Sequence, residues 1–247
     1  MALVAAALSG CGADEVEPAP LGPPGARHGQ RALLEMTAVE DVRAGLASAS
    51  DLYAAQRAPA ARQHTQRARA LYMAQVARGV GGRDRVLARE LVAAFEAIDA
   101  DMRAGAPLPA LRERIGALRG QLLDAAEGLL VPAPARADAG ARAEVLARTL
   151  AAMDRAYSYG LGPAAPLPEG RFYVERAYGL LARSQSSARG LAPSLGPQRD
   201  PVLLGLSDLR LRAFPAGVLR PPTAAPPGDV RERVRRLRGA LRKQYRL

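Results

Sequence analysis

The spacing of apolar residues along the middle of the chain constrains its fold more than any other feature. Between Ala32 and Tyr159 these residues recur at intervals of three and four, which is the period of an amphipathic α-helix. The most regular stretch comprises Leu111, Ile115, Leu118, Leu122, Ala125 and Leu129. Its alternating intervals of four and three are typical of antiparallel helix packing. Because aromatic residues make up only 4% of the chain, a β-sandwich or barrel is disfavoured. The sequence therefore predicts an all-α bundle of antiparallel amphipathic helices.

Capping and breaking residues divide this pattern into separate helices. Thr37 and Glu40 are spaced as a capping box, which predicts a helix start, and Pro59 predicts the end of the same helix. Glycine and proline at positions 105 and 107 predict another helix end. The helices are therefore expected to be joined by short turns.

Breaks in the pattern predict six segments. They are residues 1–11, a signal ending in a lipidated cysteine; 12–30, a disordered Pro-rich tether; 31–131, a four-helix half of the bundle; 132–214, a second helical half packed on the first; 215–228, a Pro-rich linker; and 229–247, a basic amphipathic helix. The bundle is thus expected between an N-terminal tether and a C-terminal charged helix.

The first segment contains the sequence's single cysteine. An apolar run from Met1 ends in Leu8, Ser9 and Gly10, directly before Cys11. This order resembles the signal of bacterial lipoproteins, and the resemblance implies that Cys11 is the lipid-attachment site. It also implies an extracytoplasmic protein anchored at the cell envelope, with the periplasmic face expected. The alternative is a buried cysteine on a short apolar helix.

Residues 72–130 combine a helix, a Gly-Ala-Pro turn and a heptad-like helix ending in an Ala-Glu pair and leucine. This stretch resembles the extracytoplasmic helical region of long bacterial ferric-iron permeases. The resemblance implies an alternative function, as an accessory or sensor protein for envelope iron or metal uptake. That function requires acidic side chains on one helix that face acidic side chains from another helix. The candidate sets are Glu90, Glu96, Asp99 and Asp101, or Glu35, Glu40 and Asp41. For Asp99, a surface ion pair with Arg103, four residues later, is the favoured interpretation.

Motifs of catalytic chemistry are missing from the sequence. It contains no phosphate-binding glycine loop, nucleophile elbow or zinc-protease helix. Two histidines and one cysteine are too few for a multi-His or Cys-rich metal centre, so no cofactor is expected. His64 lies in a polar helical start, where a solvated surface position is expected. These observations favour a non-catalytic binding or scaffold module over an enzyme.

The stretch from Arg155 to Tyr178 contains five of the ten aromatic residues and three arginines. Tyrosine and arginine are enriched at protein interfaces, since both combine contact area with a polar tip. Tyr159, Arg171 and Tyr178 are therefore candidates for a partner surface. The partner expected there is another envelope protein. The alternative is that the rings fill the junction of two helices.

Most of the net charge of +11 lies near the C-terminus. Residues 209–247 contain eleven basic and two acidic side chains, a net +9. Arg231, Arg235, Arg238 and Arg242 form a basic stripe beside an apolar one. Such a helix can bind anionic envelope lipids, so a further alternative function is that of an electrostatic adaptor to these lipids. Nucleic acid is not expected as a partner, because an exported protein rarely meets it. The helix can also dock its apolar stripe on the bundle, with the arginines on the outer face.

Overall fold

A computed structural model of the chain describes residues 29–163, 165–218 and 225–247. These residues form ten α-helices and no strand, which confirms the predicted all-α bundle. The helices are α1 (Gln30–Ala54), α2 (Ala58–Gln75), α3 (Ala77–Gly81), α4 (Arg85–Ala104), α5 (Leu108–Ala125), α6 (Ala133–Ala137), α7 (Ala139–Gly160), α8 (Glu169–Leu191), α9 (Arg199–Ala213) and α10 (Pro227–Tyr245). Within the described ranges, no helix is both long and apolar enough to span a membrane. Cys11 and the tether up to residue 28 lie outside these ranges.

Helix α1 lies at the centre of the bundle and contacts α2, α5, α7 and α8. On one side of α1, its apolar side chains form a core with those of α2, α4 and α5. Those of α7, α8, α9 and α10 form a second core, to which Ala44 of α1 also belongs. Helix α1 is therefore a wall shared by both cores.

The predicted start of α1 is wrong. The helix begins at Gln30 rather than near Thr37, because Leu33 and neighbouring residues of the extra turns are buried. The hydroxyl of Thr37 donates to the backbone oxygen of Leu33, four residues earlier, as threonine does inside a helix. Pro59 lies in the first turn of α2, where a missing N–H costs nothing, and α1 ends before it at Ala54.

The hairpin of α4 and α5 confirms the predicted turn and the predicted stripe as far as Ala125, but not at Leu129. Gly105 follows α4 in the left-handed conformation, with φ of 70°, which glycine adopts without steric strain. Every stripe residue from Leu111 to Ala125 is buried. A π-helical turn, Ala126–Leu130, then follows α5 and shifts the register, so that Leu130 is buried and Leu129 only partly so.

Leu118 tests this packing. Its side chain is 1% exposed, so Leu118→Ala should leave a cavity and lower the free energy of unfolding by about 3 kcal/mol. The melting temperature should fall by roughly 6 to 12 °C. Leu211→Ala is the matched control, because Leu211 is 70% exposed and should change stability little. Equal melting temperatures for the two variants would contradict the described core.

Helix α10 docks on the bundle through its apolar stripe. Val230, Val234, Leu237 and Leu241 are all buried, and the helix packs against α7 and α9. The hydroxyl of Tyr157 in α7 donates to the backbone oxygen of Ala225, just before α10. The apolar stripe is therefore used inside the protein, which leaves only the arginine-bearing face of α10 toward the outside.

Candidate functional site

A cavity of about 290 Å³ lies between α1, α7, α8 and the π-helical turn after α5. This volume is near the lower end of the range for small-molecule sites. The polar part of its wall carries three arginines, two glutamates and two serines. They are Arg43, Arg142, Arg183, Glu40, Glu127, Ser186 and Ser187. The rest of the wall is mainly apolar: Met36, Val39, Leu123, Ala126, Val131, Val145 and Leu191. The lining is therefore amphipathic.

Glu40 lies in this wall between two arginines. The Nη1 of Arg43 donates to its Oε1 at 2.6 Å, and the Nε of Arg183 donates to its Oε2 at 2.7 Å. All three side chains are buried, with residue exposures of 8 to 9%. Two guanidinium charges thus face one carboxylate, and the buried triad carries an excess positive charge.

The arginines around the triad have unused hydrogen-bond donors. The Nε of Arg43 is buried and has no hydrogen-bond partner, and the same is true of Arg119 in α5. Burial lowers the pKa of Arg43; the charges of Glu40 and Glu127 oppose this change, whereas the charge of Arg183 adds to it. Burial, followed by the charges of Arg183 and Arg43, also lowers the pKa of Arg119. Both directions reflect positive charge held away from water.

The antiparallel packing of α1 and α8 positions the triad. Gly179 of α8 lies directly against the backbone of Ala44, and the Ser48 hydroxyl donates to the backbone oxygen of Glu175 at 3.0 Å. Toward the start of α1, the same pairing brings Glu40 to Arg183. The cavity continues in this direction, past Glu40 to Met36 and past Arg183 to Leu191. Along these two helices, Arg43 and Arg183 therefore lie toward one end of the cavity, and Met36 and Leu191 lie toward the other.

His64 belongs to a second buried cluster, so the prediction of a solvated position is wrong. It is 1% exposed, stacks on Phe172 and places its Nε2 3.2 Å from Oε2 of Glu175. The other carboxylate oxygen of Glu175 accepts from Arg57 at 2.6 Å. Burial opposes the charged form, but the hydrogen bonds from His64 and Arg57 outweigh it and lower the pKa of Glu175. This cluster uses its donors and acceptors internally and joins α2 to α8.

The acids predicted for a metal site face arginines, which corrects that expectation. Glu90 is exposed. Within the described ranges, no group of three or more His, Cys, Asp or Glu side chains could hold a metal ion. The predicted pair of Asp99 with Arg103 is confirmed. The pairs formed by the candidate acids are Glu35 with Arg31, Glu40 with Arg43 and Arg183, Asp41 with Arg176, Glu96 with Arg69, Asp99 with Arg62 and Arg103, and Asp101 with Arg114.

The three residues predicted for a partner surface have different environments. Tyr159 is 41% exposed and its hydroxyl donates to Glu169. Arg171 is exposed and forms an ion pair with Glu175. Tyr178 is buried instead, because its ring packs on Phe214 and lies under an arginine of α9. The structure therefore places Tyr178 in the second core rather than on such a surface.

The predicted basic stripe lies on α10. The side chains of Arg231 and Arg235 are 65% and 76% exposed, although Arg235 also forms an ion pair with Glu232. Arg242 is exposed, whereas Arg238 is half-buried. Most of the stripe therefore remains accessible after the helix has docked.

The cavity beside Glu40 combines space, an apolar wall and two buried arginines that share one carboxylate. Sequence reasoning selected Glu40 only as a helix cap or metal ligand, and it missed Arg43 and Arg183. The single local signal was the spacing of Glu40 and Arg43, three residues apart on one helix. No protein-family model, curated protein or solved structure matches the chain.

Proposed function

We propose that the chain is a non-catalytic binding module that takes a small ligand into the cavity between α1, α7, α8 and the π-helical turn. The observation that carries this proposal is a cavity of about 290 Å³ whose wall holds the guanidinium groups of Arg43 and Arg183, both paired with the single carboxylate of Glu40. A few charged groups that converge in a mainly apolar cavity are typical of small-molecule sites. π-Helical turns are also frequent at functional sites.

The lining favours binding over catalysis. Arginine stays protonated in proteins and is unsuited to general acid–base chemistry. Ser186 and Ser187 could act as nucleophiles only with an activating base. No His, Lys or Cys occurs among the described residues that line the cavity; of its two glutamates, Glu40 is held by two arginines and Glu127 is exposed. The wall is therefore suited to holding a ligand by charge and apolar contact.

Gly190→Leu tests the proposal. Gly190 lies at the exposed edge of the cavity wall, and a Cβ at this position would meet no atom within 4 Å, so leucine fits there without displacing the helix and should cover part of the cavity opening. We expect native mass spectrometry of the protein purified from its own membranes to show a bound small molecule in the wild type. The Gly190→Leu protein should lack it.

Gly116→Leu is the matched control. Gly116 is also helical and has open space around its Cβ position, but it does not line the cavity. This variant should retain the ligand at the wild-type level. Equal occupancy in both variants, or a wild-type protein without any ligand, would contradict the proposal.

The proposed location is a bacterial envelope membrane, with the protein tethered through a lipid on Cys11. The order Leu8, Ser9, Gly10, Cys11 supports the anchor, and two acyl chains can hold a protein stably on a bilayer. We expect Cys11→Ser to move the exported protein from the membrane to the soluble fraction. Retention of this variant in the membrane after signal cleavage would contradict the anchor.

A second candidate function, an electrostatic adaptor to anionic lipids, is favoured by the exposed arginines of α10. Because its apolar stripe is buried, contact with a membrane would use charge alone, worth about 1 kcal/mol per arginine near the surface. Replacing Arg235, Arg242 and Lys243 with glutamine should weaken binding to phosphatidylglycerol vesicles by at least about tenfold. Replacing three exposed arginines elsewhere, Arg89, Arg112 and Arg136, should have little effect. Equal loss in both variants would assign binding to net charge and contradict a specific role for α10.

A further inference from the structure

We infer that the cavity beside Glu40 binds a monoanion with an apolar chain, and that the ligand's carboxylate lies against Arg43 and Arg183. This inference rests on the proposed function and names its ligand class. The buried triad has two guanidinium groups and one carboxylate. The lining as a whole has three arginines and two glutamates, so a ligand with one negative charge would neutralise it, and the burial of Arg43 and Arg183 strengthens their charge pairing.

The donors available to such a carboxylate are present. Each guanidinium carries five N–H groups, and Glu40 accepts one hydrogen bond from each of the two arginines. The Nε of Arg43 is itself fully buried, so the ligand would use the remaining Nη groups of the two arginines. Arginine binds carboxylates through short, often paired hydrogen bonds. A second carboxylate beside Glu40 is therefore the group best matched to these donors.

The apolar wall specifies the rest of the ligand. Beyond the arginines, the cavity is bounded by Met36 of α1, Val145 of α7 and Leu191 of α8. Its volume of about 290 Å³ corresponds to about ten water-sized atoms at ~30 Å³ each. A linear carboxylate with about eight carbons, such as octanoate, has that size. Inorganic phosphate would leave the apolar wall in water, and an alcohol would leave the arginine charge unpaired.

The test is isothermal titration calorimetry on the full chain carrying Cys11→Ser, which removes the proposed lipid site and avoids detergent. Octanoate should bind with one molecule per chain. Octanol should bind at least tenfold more weakly, and inorganic phosphate should show no saturable binding. Gly190→Leu should abolish octanoate binding, whereas Gly116→Leu should leave it unchanged.

Two variants of the triad separate charge from shape. Arg43→Met keeps an unbranched side chain of similar length and leaves Glu40 paired with Arg183, so the fold should persist. It should weaken octanoate at least tenfold and leave octanol unchanged. Glu40→Gln removes the carboxylate that competes for the guanidinium groups and should strengthen octanoate binding several-fold. Thermal melts of both variants confirm that they are folded.

The outcomes distinguish the ligand class from the site. If octanol binds as tightly as octanoate and Gly190→Leu abolishes both, the anion inference is overturned while the binding proposal stands. If Gly190→Leu leaves octanoate binding unchanged, or octanoate shows no saturable binding, the assigned site is overturned. If Arg43→Met weakens the binding of octanol as much as that of octanoate, the variant has lost the shape of the cavity, and the charge argument is also overturned.

Discussion

Glu175→Ala is expected to lower the free energy of unfolding by ~3–5 kcal/mol, the cost of breaking a buried ion pair by removing one partner. The Glu175 side chain is 4% exposed and accepts hydrogen bonds from Arg57 and His64. Without it, His64 and the partly buried guanidinium of Arg57 lose their acceptor. Urea denaturation at neutral pH measures the effect. Because Glu175 also lies on α8, its loss should loosen the packing that positions Arg183.

Glu113→Ala is the matched control, because Glu113 of α5 is exposed and such substitutions change stability by less than about 0.5 kcal/mol. A similar loss in the two variants would contradict the described cluster. An average point mutation costs about 1 kcal/mol. If Glu175→Ala lowers the free energy of unfolding by less than about this amount, the described cluster is also contradicted.

The pH dependence of stability gives a second test of this cluster. The pKa of Glu175 is lowered from its ordinary 4.5, so its contribution is complete above about pH 4.5 and is lost as the pH falls through the lower folded-state pKa. Glutamine at position 175 cannot titrate. The stability difference between the wild type and Glu175→Gln should therefore narrow as the pH falls below about 4.5. A difference that widens below this pH would contradict the direction of the pKa.

Gly179→Ala should lower the free energy of unfolding by about 3 kcal/mol, the upper end of the range for overpacked cores. A Cβ at Gly179 would lie 2.5 Å from the backbone oxygen of Ala44 and closer still to the Ser48 hydroxyl. Because Ala44 contributes backbone, α1 and α8 must move apart. The separation should also pull Arg183 from Glu40, so ligand binding in the cavity should fall together with stability.

Gly116→Ala provides a control with the opposite sign. A Cβ at Gly116 meets no atom within 4 Å, and alanine is favoured over glycine inside a helix by about 1 kcal/mol. Chemical denaturation should therefore show stabilisation for Gly116→Ala and destabilisation for Gly179→Ala. Stabilisation in both cases would mean that α1 and α8 do not approach as closely as described.

The helices could be predicted from the sequence because burial follows a local rule. Leu111, Ile115, Leu118 and Leu122 recur at the helical period, and each is buried on one face of α5. The same rule predicted the apolar stripe of α10. Of the two interpretations of this helix, the structure shows the one in which its apolar stripe docks on the bundle. The start of α1 was missed because tertiary packing of Leu33 extends the helix beyond its apparent cap.

The candidate site could not be predicted because its residues meet only in the folded chain. Glu40 and Arg183 are 143 residues apart, and His64 and Glu175 are 111 apart. A spacing rule has no access to such pairs. The cavity also depends on the π-helical turn, where the regular stripe predicted Leu129 as buried and the structure places Leu130 there. The break in register gave no signal in the sequence pattern.

A crystal structure of the full chain carrying Cys11→Ser with octanoate tests the central claim most directly. We predict one octanoate between α1, α7, α8 and the π-helical turn. Its carboxylate should lie within hydrogen-bond distance of the Arg43 and Arg183 guanidinium groups, and its chain should point toward Met36 and Leu191. An empty cavity, with octanoate bound only along the arginines of α10 or nowhere, would contradict the account.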